Sequence, residues 1–266
     1  MLFFKKHNLT KYISGNGIEI GALHNPIKIN PKKANVKYVD AFDINELIIQ
    51  NPEISKNNIK KPDIIGDAEN LDMFADESLD FIIAAHILEH LPNPIKALKE
   101  FHRVLKVNAI LYLAIPDKRF SFDKDRNITP LSHLLEDYKN SATIETNPEH
   151  YKEWFEFIES KKKKPLVKNY QELLEKKFRI HFHIWTIESI LELLNYARTN
   201  LEIYFNLEDY YYRKNDADVV FILKKTTKNL SLEIPQTLKE KYSKFAAILQ
   251  IAQNFRSSIL NFINRN

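Results

Sequence analysis

The sequence has no cysteine and only four glycines among its 266 residues. Without cysteine the chain can form no disulfide, no cysteine–metal cluster and no thiol nucleophile. It also has no run of about 18 apolar residues, so we expect no transmembrane helix. The opening "MLFFKKHNLTKY" has too short an apolar part for a secretory signal. Together these features predict a cytoplasmic protein.

Positive charge is in slight excess, with a formal net charge of +4 at pH 7. Much of the excess comes from Lys161–Lys164 and from lysines near the C-terminus. A lysine run of this kind is typical of a solvated face. No arginine-rich tract or regular alternation of basic and aromatic residues accompanies it. We therefore expect no nucleic-acid partner.

Short apolar runs alternate with helical patterns in the first half of the chain. Five runs have the composition of buried parallel strands: "GIEIGA", "VKYVDAF", "PDIIGDA", "LDFIIAAHIL" and "AILYLAIPD". Between the last two, apolar residues recur at helical spacing behind Pro94. Alternation of strand and helix predicts an α/β fold with a doubly wound sheet.

The pattern changes after Asp117 and returns near the end of the chain. Three short helical segments broken by prolines and lysines fill residues 118–180, which predicts a helical insertion over the carboxyl edge of the sheet. A helix and two strands follow, giving a mostly parallel seven-stranded sheet in a domain of residues 1–225. Residues 226–266 carry an apolar stripe at helical spacing. This stripe predicts an amphipathic helical extension.

Five ordered pieces of the sequence carry a family resemblance: "EIGALHNP", "VKYVD", "GDAENL", "LDFIIAAHILEHLPNPIKALKEFHRVLK" and "LYLAIPDKR". In this order the chain resembles the class I S-adenosylmethionine-dependent methyltransferases, in the group often seen with glycan-biosynthesis genes. The resemblance covers roughly residues 14–225. It implies a Rossmann-like methyltransferase fold and S-adenosylmethionine as the cofactor.

The resemblance also implies roles for residues at the strand ends. Glu19 and Gly21 would face the methionine part of the cofactor, and Asp40 would accept hydrogen bonds from the two ribose hydroxyls. Asp67 would meet the adenine amino group, with Ala68 and Leu71 lining the ring. Ala22 and His86 complete the expected set of cofactor-binding residues.

The sequence departs from the family's first motif. The motif E/D-x-G-x-G-x-G continues with two further glycines, but Leu23 and Asn25 occupy those positions here. Too few residues separate the first two strands for a full helix, and Pro26 and Pro31 interrupt them. We expect the glycines of "SGNG" to let the segment before the first strand cover the cofactor instead.

"HILEH", His86–His90, also matches the H-x-x-E-H motif of inverted zinc proteases. That chemistry needs both histidines on one face of a continuous helix, plus a further ligand. Here the motif follows a strand and precedes "LPNP", which favours the methyltransferase interpretation. For Glu89 and His90 we expect a role in fixing the loop by hydrogen bonds.

Polar residues after the fifth strand and in the insertion are the candidates for acceptor chemistry. A hydroxyl acceptor needs a base, and the candidates are His133, His181 and Asp117. Arg119, Asp123, Arg126 and His183 are predicted to bind the substrate. No metal is expected, although His181, His183 and a carboxylate form an alternative divalent-metal set.

The sequence thus predicts an O-methyltransferase acting on a sugar, sugar nucleotide or phosphorylated glycan precursor. The alternatives are N-methylation of an amino sugar or small metabolite, and a catalytically silent scaffold for glycan enzymes. The apolar stripe in residues 226–266 predicts packing on the chain's own domain or on a twin subunit. Contact with a membrane-bound glycan machinery is the alternative for this stripe.

Overall fold

The computed structural model describes residues 9–52, 54–212 and 216–227. Its seven strands are β1 (Gly15–Ile20), β2 (Ala34–Asp40), β3 (Ile64–Ile65), β4 (Leu79–Ala85), β5 (Leu105–Pro116), β6 (Phe205–Tyr211) and β7 (Asp218–Lys225). They form one sheet in the order β3-β2-β1-β4-β5-β7-β6. Strands β1 to β5 pair in parallel, whereas β7 runs antiparallel to both β5 and β6.

This architecture confirms the predicted fold class, a doubly wound, mostly parallel seven-stranded sheet. The strand order turns back at β1, whose neighbours β2 and β4 lead to opposite halves of the sheet. In open α/β sheets the crevice at the carboxyl ends of such strands receives ligands. The topology therefore directs attention to the residues that follow β1, β2 and β4.

The described residues form six α-helices: α1 (Ile44–Gln50), α2 (Pro94–Val104), α3 (Leu131–Lys139), α4 (Glu149–Phe157), α5 (Tyr170–Glu175) and α6 (Ile187–Asn200). Short side chains cap several of them. Asn93 accepts a hydrogen bond from the Lys96 amide in front of Pro94, and Thr186 forms a capping box with Ser189. These caps explain where the sequence starts its helices.

Apolar side chains cover both faces of the sheet. Helices α2 and α6 contribute to the larger core, in which Leu98, Phe101 and Leu193 are fully buried. The opposite face packs Phe81 and Ile222 into a smaller core. A third cluster, built around Tyr151 and Phe182, lies in the insertion and the segment that follows it. The insertion thus has apolar packing of its own, although its domain boundaries stay a prediction.

Two glycines of the "SGNG" stretch belong to β1 rather than to a cofactor cover. A Cβ on Gly17 would lie 2.2 Å from the Phe81 carbonyl oxygen of β4. Gly15 has a φ of +85° and lies against the Asp80 side chain. The prediction that they cover the cofactor is therefore wrong, because close strand packing requires them.

The described residues include no helix that is both long and apolar enough to cross a membrane. The amphipathic helix predicted for residues 226–266 lies outside the described residues, apart from 226 and 227. Packing on a twin subunit and contact with a membrane-bound machinery therefore stay predictions.

Candidate active site

Two cavities open at the carboxyl edge of the sheet. The smaller, of about 350 Å³, is lined by residues that follow β2 and β3 and by the insertion. The larger, of about 800 Å³, is lined by residues that follow β1 and by parts of β4, β5 and β7. Gly21, Ile87, His90 and Arg179 line both cavities. The two cavities therefore meet at these four residues.

The end of β1 places a buried carboxyl group beside the larger cavity. Glu19 is 1 % exposed, and its Oε1 accepts a hydrogen bond of 2.8 Å from the Ile27 amide. Its Oε2 is buried without a hydrogen-bond partner among the described residues. Burial raises the pKa of Glu19 to about 7, although the Ile27 amide and the charge of Lys60 act to lower it. An unpaired carboxylate oxygen in this position is suited to a cationic ligand group.

Gly21 follows at the junction of the cavities with a φ of +64°. A side chain is strained in this left-handed region, and a Cβ here would lie 2.3 Å from Ile87 Cδ1. Ala22 continues the wall of the larger cavity. Residues 21–33 contain no helix, as the short, proline-interrupted spacing predicts.

Asp40 closes β2 at the smaller cavity. Its Oδ1 forms an ion pair with Arg179 Nη2 and accepts a hydrogen bond of 3.3 Å from the Phe42 amide. Its Oδ2 is buried and has no hydrogen-bond partner in the described part of the chain. The Arg179 guanidinium lies 4.7 Å from the centre of the Phe42 ring. One carboxylate oxygen is thus held by arginine while the other stays available to a hydroxyl donor.

The loop after β3 supplies the next wall of the smaller cavity. Asp67 and Ala68 both line it, and Asp67 Oδ1 accepts a hydrogen bond of 2.8 Å from the Glu69 amide. Leu71, which we expected beside an adenine ring, is instead fully buried among core residues. That prediction is wrong, because the turn after Asn70 directs Leu71 towards helix α2, where its amide donates to Glu100 Oε2.

His86 follows β4 with a φ of +57° and lines the larger cavity. Its Nδ1 lies 3.1 Å from Glu89 Oε1 and its Nε2 lies 3.2 Å from Asp218 Oδ1. Burial lowers the pKa of His86, but the hydrogen bonds to Asp218 and Glu89 outweigh it and raise the pKa to about 10. His86 is therefore an imidazolium held between two carboxylates at neutral pH.

The zinc-protease interpretation of "HILEH" fails on this geometry. His86 ends a strand and His90 lies in the one-turn 3₁₀ helix Leu88–His90, so no continuous helix carries both. Their side chains also have different partners, since His90 Nδ1 lies 2.8 Å from the Ile180 carbonyl oxygen. The two histidines do not share a metal-binding face.

His90 lies where the two cavities meet. Because Nδ1 donates to the Ile180 carbonyl, Nε2 carries the lone pair. The ring contacts the His181 ring edge-on, with 4.6 Å between centroids. Burial and the neighbouring His181 lower the pKa of His90 to about 3, so the imidazole is neutral at pH 7. From the sequence we expected His90 only to fix the loop by hydrogen bonds, because its position between the cavities depends on the tertiary fold.

His181 forms a dyad with Asp123 behind His90. Its Nδ1 lies 2.7 Å from Asp123 Oδ2, and both side chains are nearly or fully buried. Arg126, predicted to bind substrate, instead donates to Asp123 at 2.8 Å and to Glu153 at 2.9 Å. Arg126 is 1 % exposed. The prediction of substrate binding by Asp123 and Arg126 is wrong, because both side chains hold the insertion together.

Asp117 and Arg119 are bound to each other. Arg119 Nε donates to Asp117 Oδ1 at 2.9 Å, and Arg119 Nη1 donates to Glu188 at 3.1 Å. Asp117 is fully buried, and neither residue belongs to the wall of the two cavities. The structure therefore contradicts the predictions of Asp117 as the base and Arg119 as a substrate ligand.

His133 and His183 meet at Asp137 in a group that also contains His150. We call His133, Asp137, His150 and His183 the histidine–aspartate cluster. None of its side chains lines either cavity. The fold thus places His133 away from the position of a base and His183 away from the acceptor. His181 and His183, expected to point the same way, contact different groups because the segment between α5 and α6 is irregular.

Comparison with known proteins agrees with this fold. Residues 17–113, rather more than a third of the chain, match the family described as "Methyltransferase domain". No curated protein matches the sequence. The matched residues run from β1 to β5 and carry the ends of β1, β2 and β4. The part of the chain from β1 to β5 is therefore similar to methyltransferase domains.

Solved structures of low sequence identity are similar to the chain to different degrees. One is a structure from Rhodobacter sphaeroides that is described as Zn-dependent alcohol dehydrogenases. It is 14 % identical in sequence with a TM-score of 0.53, and the match covers 84 % of this chain and 90 % of the Rhodobacter chain. The PH0226 protein from Pyrococcus horikoshii OT3 is 18 % identical with a TM-score of 0.48, covering 83 % and 87 %. A SAM-dependent methyltransferase from Aquifex aeolicus is 12 % identical with a TM-score of 0.43, covering 84 % and 89 %. At these identities the likeness concerns the fold alone.

Proposed function

We propose that this protein is an S-adenosylmethionine-dependent methyltransferase and that it methylates a hydroxyl group of a sugar, a sugar nucleotide or a related phosphorylated glycan precursor. The observation that carries the proposal is the larger cavity, which adjoins the cofactor residues and has many polar groups in its wall. Methyl transfer is an in-line displacement, so catalysis depends strongly on how the protein positions the acceptor.

The residues at the strand ends fit the cofactor. Glu19 and Asp40 each bury a carboxylate oxygen without a partner among the described residues, and Gly21 leaves the space that a side chain would fill. Glu19 would receive the ammonium group, Asp40 the ribose hydroxyls, and Asp67 with Ala68 the adenine. When bound, S-adenosylmethionine supplies a methyl group activated by the sulfonium charge.

The wall of the larger cavity suits a hydroxylated acceptor. Asp216 and Asp218 lie on this wall. Tyr211 donates to Asp216 and His86 pairs with Asp218, and a carboxylate oxygen has a second lone pair that can accept a hydrogen bond from a ligand hydroxyl. Lys28 and His24 lie on the same wall, and both are exposed. Lysine binds phosphate as a point charge. Hydroxyl and phosphate recognition in one cavity supports a phosphorylated sugar as the acceptor.

His90 is the residue best placed to take the hydroxyl proton. It lines both cavities, and its Nε2 lone pair is set by the bond from Nδ1 to Ile180. The acceptor oxygen would take the methyl group that the cofactor gives up with cleavage of its carbon–sulfur bond, and the hydroxyl proton would pass to His90 Nε2. An oxygen that gains a methyl group holds its proton weakly, so even an imidazole of low pKa accepts it.

The carboxylates of the larger cavity also fit an amino sugar, whose amino group would bind beside Asp216 and Asp218. N-methylation is therefore the second candidate function. A scaffold without activity is the third, and it predicts no cofactor binding at all.

A panel of acceptors tests the proposal. The full chain is incubated with S-adenosylmethionine and nucleotide sugars, sugar phosphates or amino sugars, and products are analysed by mass spectrometry for the gain of one methyl group. We expect a gain on the oxygen of a phosphorylated sugar, and its loss in Lys28→Ala at unchanged cofactor affinity. Cofactor binding without methylation of any phosphorylated sugar would contradict the acceptor class. Methylation of an amino nitrogen alone would favour the second candidate.

A further inference from the structure

Four potential metal ligands converge in the histidine–aspartate cluster. His133 and Asp137 lie four residues apart on α3 and so share one face of the helix. His150 projects from α4, and His183 comes from the segment between α5 and α6. One ligand atom of each residue lies within 4.8 Å of all the others. Three separate parts of the chain thus bring nitrogen and oxygen ligands to one point.

Three of the six distances between ligand atoms in the cluster match those of a tetrahedral site, and all six are at most 4.8 Å. His133 Nε2 lies 3.2 Å from His150 Nε2 and 3.2 Å from Asp137 Oδ2. His183 Nε2 lies 3.1 Å from the same carboxylate oxygen. Metal–ligand bonds of about 2.0–2.1 Å at tetrahedral angles separate the ligand atoms by about 3.3 Å. Small movements of these side chains would therefore be enough to place a metal ion between the four ligand atoms.

Hydrogen bonds alone do not satisfy this arrangement. His133 and His183 can each donate from Nε2 to Asp137 Oδ2. His150 Nε2 then faces His133 Nε2, whose single hydrogen already serves the carboxylate. A cation removes this conflict, because all three nitrogens and the oxygen can then direct lone pairs at it.

The surroundings orient the carboxylate as an outer shell of a metal site does. Asn147 Nδ2 donates to Asp137 Oδ1 at 3.0 Å, which leaves Oδ2 for the cluster. Aromatic rings limit access, since Phe182 lies 5.5 Å from the His150 ring and Trp185 lies 5.8 Å from the His183 ring. Asp137 and His183 are buried, whereas His133 and His150 are half-buried.

We propose that His133, Asp137, His150 and His183 bind one Zn²⁺ ion that fixes α3, α4 and the segment before α6 together. Three imidazoles and one carboxylate suit zinc, whereas magnesium and calcium require oxygen ligands. Four protein ligands are typical of a closed, structural site. The ion would thus hold the insertion against the segment that carries Arg179 and Ile180, the residues that contact Asp40 and His90.

Metal titration of the tag-free full chain tests this proposal, because a polyhistidine tag would itself bind metal. The protein is stripped with a chelator and titrated with Co²⁺, whose visible absorption reports tetrahedral coordination, and Zn²⁺ is then added in competition. We expect one Co²⁺ per chain, displaced by Zn²⁺. Absence of a tetrahedral Co²⁺ spectrum in the wild-type chain would overturn the proposal.

Matched variants locate the ion. We expect His150→Ala to weaken Co²⁺ binding by more than about 100-fold and Asn147→Ala to weaken it by about 10- to 100-fold. His102→Gln, a histidine of α2 outside the cluster, should bind as the wild type does. Circular dichroism checks that each variant is folded. Glu89, His90 and His181 form the other group with ligand spacing in the described residues. Loss of binding in His90→Gln but not in His150→Ala would assign the metal to that group and contradict the proposal.

Discussion

At the residue scale, the proposed cofactor site depends on two buried carboxylates, each with one oxygen that has no hydrogen-bond partner among the described residues. Glu19 and Asp40 end neighbouring parallel strands, β1 and β2, so both meet at one edge of the sheet. Burying a carboxylate costs free energy unless a hydrogen bond or charge compensates it. In each residue one oxygen has a hydrogen-bond partner and the other has none among the residues that the structure describes. A ligand that donates hydrogen bonds to these oxygens would offset this cost, and the offset would contribute to its binding free energy.

The raised pKa of Glu19 predicts that cofactor binding depends on pH. The pKa is about 7 in the free protein, and the cofactor's ammonium group favours the ionised carboxylate. Affinity should therefore fall as pH decreases below about 7, approaching tenfold per pH unit. Calorimetric titration with S-adenosylmethionine between about pH 5.5 and 7.5 measures this.

The control for this prediction is a second carboxyl group. Burial also raises the pKa of Glu69 to about 7, and Glu69 lines the smaller cavity. Glu19→Gln should flatten the pH dependence, whereas Glu69→Gln should retain it. The reverse result would show that the cofactor's charge is recognised elsewhere.

The pH dependence of turnover should differ according to whether His90 or His133 acts as the base. The pKa of His90 is about 3, so a rate that depends on it should stay level from about pH 5.5 to 8 with both substrates saturating. The hydrogen bond that His133 donates to Asp137 raises the pKa of His133. A rate that depends on His133 as base would therefore increase with pH above about 6.5.

Substitution separates the two histidines further. We expect His90→Gln to lower kcat by about 10²- to 10⁴-fold with cofactor affinity unchanged. The assay uses the acceptor that the panel identifies. A level pH profile together with full activity in His90→Gln would remove His90 from the proton transfer.

At the scale of secondary-structure elements, the pairing of β1 with β4 depends on Gly17. A Cβ there would lie 2.2 Å from the Phe81 carbonyl oxygen, which is backbone and cannot move aside. Gly17→Ala should therefore lower the free energy of unfolding by about 1–3 kcal/mol. Denaturant unfolding followed by circular dichroism measures this change.

Gly66 is the matched control for that substitution. A Cβ at Gly66 would approach Met73 Cε, the end of a flexible side chain, at 2.5 Å. Gly66→Ala should therefore cost less than about 1 kcal/mol. Equal losses in the two variants would contradict the claim that strand packing selects Gly17.

The stability of the insertion depends on Arg126. Its guanidinium is fully buried and holds Asp123 and Glu153, and it also donates to the His181 carbonyl at 2.9 Å. Arg126→Ala removes the partner of the buried Asp123 Oδ1, while Oδ2 keeps its contact with His181, so we expect a loss of about 3 kcal/mol in unfolding free energy. Lys177→Ala removes an exposed pair with Glu145 and should cost no more than about 1 kcal/mol. Similar losses of unfolding free energy in Arg126→Ala and Lys177→Ala would contradict the claim that the buried contacts of Arg126 stabilise the insertion.

At the scale of the whole molecule, the sequence is sufficient to predict the sheet and the strand-end residues. The family resemblance, and not the apolar runs alone, drew attention to Glu19, Asp40 and Asp67, and the structure places all three beside the two cavities. Arg126 and Asp117 were misassigned because a charged residue in a polar stretch gives no sign of whether it faces solvent, a ligand or a buried partner. Arg179 and His90 were missed as cavity residues for the same reason. Their partners, Asp40 and Ile180, are 139 and 90 residues away along the chain.

Calorimetric titration of the wild-type chain and of Asp40→Asn with S-adenosylmethionine tests whether the chain binds this cofactor and whether Asp40 contributes to the binding. Asp63→Asn is the matched control, because Asp63 precedes β3 and accepts from the Tyr38 amide outside both cavities. We predict one cofactor per chain, an affinity at least about tenfold weaker in Asp40→Asn, since the hydrogen bond to a charged group is lost, and no change in Asp63→Asn. No binding to the wild type, or equal binding to all three proteins, would contradict the account.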